Sequence, residues 1–172
     1  LLLLLAADIA GAPAAMIATL AALTAIAHAV RLALWRPWRT LRVPILWILH
    51  VSYAWVVVYL LLRALAEIDL VQAGVATHAL TVGAIGGLTL GIMTRTVRGQ
   101  TGLPLQASAM ETTAYVLLHF AALARVVPPL LAPQSLPLAV HLSGTLWVLA
   151  FLLFLVKYWP ILTRPRVDGQ PG

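Results

Sequence analysis

A chain of 172 residues that is 62% hydrophobic and only 9% charged, with a mean hydropathy of +0.99, is too apolar for a water-soluble domain. It has no cysteine, which excludes a disulfide framework, a thiolate-held cluster and a cysteine nucleophile. The net charge of +6 rests on basic residues that flank apolar runs, so it reads as membrane topology and not as a nucleic-acid surface.

In chain order, the run Leu1 to Leu5 is too short to cross a bilayer, which takes roughly 20 apolar residues. No basic segment precedes it, so it is not read as a signal peptide. It reads as a short helical stub, the tail of an upstream span, and the chain as the C-terminal piece of a larger protein. Five complete spans follow. The first covers about 14–34, after the Gly11-Ala12-Pro13 break, and the second about 44–66, opened by Pro44 at a first-turn position. The third covers about 71–97, the fourth about 105–127 and the fifth about 136–158, with Pro128, Pro129, Pro133 and Pro137 confining the last connection. The predicted fold is an all-α, polytopic, up-down membrane helix bundle forming one domain over 1–172.

Charge placement orients the bundle. Arg31, Arg36, Arg39 and Arg42 lie at the first connection, Arg95 and Arg98 at the third, and Lys157, Arg164 and Arg166 at the C-terminal end. These are nine of the 11 basic residues, and the positive-inside rule puts them, and the C-terminus, on the cytoplasmic side of the membrane. Trp35, Trp38, Trp47, Trp147 and Trp159 fall mostly near span ends, as an aromatic belt requires.

All five histidines fall inside spans, one in each: His28, His50, His78, His119 and His141. Ionisable groups in lipid are costly and usually face a bundle interior, a cavity or an ion, and neutral imidazole is the commonest metal ligand. Counted from the span ends, His28 and His50 sit roughly 9 Å inside the basic side, at 1.5 Å per residue. His78, His119 and His141 fall nearer the opposite ends. A pair on adjacent helices suits axial ligation of a b-type haem, and a trio suits copper or a second haem. For any single histidine the alternative is a neutral imidazole bonded to a neighbouring carbonyl. Arg31 shares a helical face with His28 and either binds a haem propionate or extends to the interface.

In the fourth span, Glu111, Thr112, Tyr115 and His119 line one face. A carboxylate, a phenol and an imidazole in series would serve as a proton path, with Glu111 and Tyr115 as its catalytic members; alternatively Glu111 pairs with Arg95 or Arg98. Gly83, Gly87 and Gly91 repeat at four-residue spacing, a ridge for another helix or for a flat macrocycle. No phosphate loop, dinucleotide fingerprint, Ser-His-Asp set or zinc-protease motif is present.

The segment HALTVGAIGGLTLGIMTRTVRGQTG at His78 to Gly102 resembles the signature of the NnrS family, bacterial polytopic membrane proteins tied to the nitric oxide response. LWILHVSYAW at Leu46 to Trp55, YVLLHFAALARV at Tyr115 to Val126 and YWPILTRPRVDGQPG at Tyr158 to Gly172 extend the similarity over nearly the whole chain. Gln100 stands where that family commonly has a histidine, and Leu103 where a basic residue is usual. The resemblance implies haem b and copper, a role in nitric oxide or nitrosative-stress metabolism (as in denitrification), and a full protein of roughly twelve spans of which this is the C-terminal half. It leaves three functions open. These are a haem-copper oxidoreductase acting on a small nitrogen oxide, a haem electron carrier or sensor without catalysis, and a non-redox, proton-coupled transporter.

Overall fold

A computed structural model describes residues 1–164, and among them the chain is helical with no strand. A short α1 (Leu2–Ile9) precedes α2 (Ala14–Leu34), α3 (Pro44–Ala66), α4 (Ala73–Gln100), α5 (Ala109–Leu131) and α6 (Leu136–Leu162). Single 3₁₀ turns at Pro37–Thr40 and Pro133–Ser135 tighten two connections. The helices α2 to α6 are long and apolar enough to cross a membrane, so the chain is an all-α membrane helix bundle with five candidate spans and an N-terminal stub. Arg166 and the C-terminal end, whose side of the membrane the charges predict, lie outside the described residues.

Local chemistry sets the boundaries. Pro13 and Pro44 open α2 and α3 where expected, because proline tolerates a first-turn position and blocks the residue before it from helix. The fourth span starts later than hydropathy indicates, at Ala109 and not near 105. Gly102, at φ +74°, and Pro104 turn the chain, and the Ser108–Glu111 capping box fixes the first turn of α5. That helix then runs through Pro128 and Pro129 to Leu131, since the bonds these residues omit fall in its last turns.

The helices α3 and α4 form the middle of the bundle. The helix α2 packs on α3 through Ile17, Ala21 and Ala25 against Leu60 and Ala64, with Leu4 and Ala7 of α1 joining the cluster. At this end the stub is tied by an ion pair from Arg63 of α3 to Asp8, at 2.5 Å. The helices α3 and α4, and likewise α5 and α6, pack along much of their lengths, while α2 and α6 turn large apolar side chains such as Leu23, Ile26, Leu152 and Leu155 outward, as lipid-facing helices do.

Within α4, residues Ala79–Gly86 wind as a π-helix, a departure that helical periodicity does not reveal. The segment lies against both α3 and α5. Its glycine ridge faces α3 and not a macrocycle. A Cβ on Gly83 would overlap the Trp55 ring, one on Gly91 would lie 3.0 Å from Leu49 Cδ2, and one on Gly87 would strike Ser52. Gly83→Ala therefore lowers stability by about 1–3 kcal/mol, the usual effect of overpacking a filled contact. Gly74→Ala, with nothing within 4 Å, is neutral or slightly stabilising. Thermal unfolding in detergent compares the two; equal midpoints would contradict the close α3–α4 approach.

Candidate functional site

The histidines of the first two spans meet the same aromatic group at the α2–α3 seam. His28 Nδ1 lies 2.6 Å from the Tyr53 hydroxyl, with the two rings 5.6 Å apart. Trp35, at the end of α2, packs its ring 4.8 Å from that of Tyr53 and edge-on to that of His50, at 6.2 Å. Trp35 thus does more than mark an interface. The spacing of His50 and Tyr53, three residues apart on α3, turns both toward this seam.

The hydrogen bonds of His50 fix its tautomer. Nδ1 lies 3.1 Å from the Leu46 carbonyl oxygen and 3.1 Å from Thr40 Oγ1. Thr40 donates its single hydroxyl proton to the Pro37 carbonyl at 2.7 Å, so its oxygen accepts from the ring. Both neighbours of Nδ1 are acceptors, so in the neutral ring Nδ1 carries the proton and Nε2 keeps a lone pair. No described residue bonds Nε2 of His50 or of His28. An Nδ1–H held by an acceptor and an unshared Nε2, as in His50, is the pattern of a metal-ligating histidine, and His28 shares it when the Tyr53 oxygen accepts from its Nδ1. His28, with Ala27 and the exposed Arg31, lines an open pocket of about 340 Å³. Thr40, in a connection predicted only as basic, was not foreseen; its partner ten residues away shows no sequence signal.

The structure does not bring His78, His119 and His141 together. Among the described residues, no three His, Asp or Glu side chains gather where they could hold a metal ion. His141 is exposed on α6. His78 Nε2 accepts a hydrogen bond from Arg125 Nη2 at 2.7 Å, which occupies the lone pair a metal would need. His119 is 8% exposed, and neither ring nitrogen has a partner. With α5 starting at Ala109, His119 lies about 15 Å along the helix from one end and about 18 Å from the other, near mid-span. It packs beside Trp47, at 5.9 Å between rings, and lines an open apolar pocket of about 250 Å³ with Val51, Ala54, Trp55, Val58 and Leu123. A buried imidazole with no hydrogen bond is costly, and this one has both its donor and its acceptor unused.

Glu111 and Tyr115 share a face but not a bond. Glu111 Oε1 accepts from Arg98 Nη1 at 2.7 Å and from the Tyr158 hydroxyl, and Oε2 accepts from the Ser108 backbone N–H. Arg98 also donates through Nε to the Pro104 carbonyl at 2.6 Å. One carboxylate thereby joins α4, α5, α6 and the 101–108 connection. The Tyr115 side chain is fully buried against Trp47, and its hydroxyl meets no partner among the described residues. Pairing with Arg98 is the alternative the sequence offered for Glu111; Tyr158, 47 residues on, carried no signal.

Comparison with curated proteins and with solved structures finds no match. A family model described as NnrS protein matches residues 1–166. That match takes in all five spans, the histidines of the α2–α3 seam and the glycine ridge of α4. The chain belongs to the NnrS family.

Proposed function

We propose that the chain is part of a haem-bearing inner-membrane protein of the nitric oxide response, with His28 and His50 as the haem ligands. The observation that carries this reading is the hydrogen-bonding of His50: two acceptors hold its Nδ1–H and leave Nε2 free, while Tyr53 holds Nδ1 of His28. Membership of the NnrS family supports the nitric oxide connection. When bound, haem b would supply one-electron chemistry, and His28 and His50 are the residues that would hold it. The chain's own part is to present the two rings, to shield them with Trp35 and Tyr53, and to offer Arg31 to a propionate.

Copper, which the resemblance also implies, finds no three-histidine set among the described residues. His119 offers one donor, and the remaining ligands of such a site would come from elsewhere, for example a preceding half of the protein. The basic ends of α2, α4 and α6 favour the cytoplasmic side for the haem layer. A proton-coupled transporter is less well supported, because Glu111 is held in a closed ion pair.

Tyr53→Phe tests the reading without removing a ligand. The ring stays, and only the oxygen that holds His28 Nδ1 is lost. Haem should leave the purified protein 10–100-fold faster, about the effect of removing an outer-shell partner. Transfer to an excess of an apo-haemoprotein, followed by visible absorption, measures the rate. Unchanged haem loss would count against His28 as a ligand, and no Soret band in the parent protein would remove the haem reading altogether.

A further inference from the structure

Arg125 and His78 form a pair that the haem reading does not use. Arg125 lies six residues before the end of α5, and His78 five residues after the start of α4, so each sits roughly 8–9 Å inside the membrane end remote from the basic connections. The guanidinium has no lone pair, so at 2.7 Å it must donate to His78 Nε2, and the proton of the neutral ring is then on Nδ1. The partner of Arg125 is therefore uncharged. The ion pairs among the described residues belong to Arg63 and Arg98, and no carboxylate approaches Arg125. Arg125 Nη1 is moreover buried without any hydrogen-bond partner.

A full positive charge inside a span with an unused, buried N–H group is costly unless an anion completes it. The imidazole holds one arm of the fork and leaves the other to donate. A planar guanidinium matches planar oxyanions, whose two oxygens can share its donors. We propose that Arg125, oriented by His78, is a binding site for a planar monoanion of the carboxylate or nitrate type. The anion is either free in solution or the carboxylate of a bound cofactor.

The test uses purified full-length protein in detergent at constant pH, with acetate and nitrate as probes and chloride at equal ionic strength as control. Thermal unfolding is followed for the parent protein, Arg125→Gln and Arg125→Lys. If the anion is free, acetate or nitrate raises the midpoint saturably beyond chloride. Arg125→Gln abolishes the rise, and Arg125→Lys, which keeps charge but not the fork, weakens apparent affinity by about tenfold. If the occupant is a cofactor carboxylate, the as-purified protein shows no rise, and the Arg125-dependent response appears once bound cofactor has been stripped. Should Arg125→Gln not fold, the weakening in Arg125→Lys decides. No rise over chloride in either preparation, or a rise that all variants share, overturns the site.

Discussion

Glu111→Ala should destabilise the bundle by about 3–5 kcal/mol, the range for breaking a buried ion pair by removing one partner. The side chains of Glu111 and Arg98 are 2% and 10% exposed, so the guanidinium left behind would be uncompensated and poorly hydrated. Tyr158 would lose the acceptor of its hydroxyl, and the first turn of α5 its carboxylate at the Ser108 N–H. Tyr158→Phe is the graded comparison. It removes one donor and leaves the ion pair, so it should lower stability by about 1–3 kcal/mol. Thermal or denaturant unfolding in detergent measures both. A Glu111→Ala protein as stable as Tyr158→Phe would mean that the carboxylate does not anchor α4, α5 and α6 together.

What the sequence made legible follows from what is local. Composition and hydropathy disclose five spans because each must supply about twenty apolar residues in a row. Pro13 and Pro44 mark the starts of α2 and α3 to the residue, since proline acts on the backbone beside it. The fourth span was displaced because Leu105 and Ala107 count as apolar although the capping box begins only at Ser108. The π-helical stretch of α4 was not visible, because no residue type demands it. Histidine depth was readable only as far as the span ends were, and the later start and end of α5 move His119 from the outer layer to mid-span; the direction in which each ring faces was not readable, as it depends on how neighbouring helices rotate and pack. His119 turns toward Trp47 and Gly87, His78 toward Arg125, and His141 outward, so three residues expected in one layer do not meet. His28 and His50 do share an environment, because α2 and α3 are joined by a short turn that brings their basic ends together.

Removal of either proposed haem ligand at that seam should have the largest effect on cofactor content. His50→Ala deletes the ring whose Nε2 is free, and His28→Ala deletes the one held by Tyr53; haem occupancy should fall at least tenfold in each, more than for loss of an outer-shell partner. His141→Ala, exposed on α6, should keep the parent haem content. Neither ligand substitution opens the central packing, since both rings are only half-buried, so the variants should fold and the loss should be specific.

The most direct measurement is low-temperature electron paramagnetic resonance of the oxidised, full-length protein, made on the parent and on the His28→Ala and His50→Ala variants. Two imidazole nitrogens on one iron give a low-spin ferric signal. That signal is predicted for the parent. In each variant it should vanish, leaving either high-spin haem or none, and added imidazole should restore it wherever haem remains. A parent protein without a low-spin haem signal, or a signal that persists unchanged in either variant, would contradict ligation by His28 and His50.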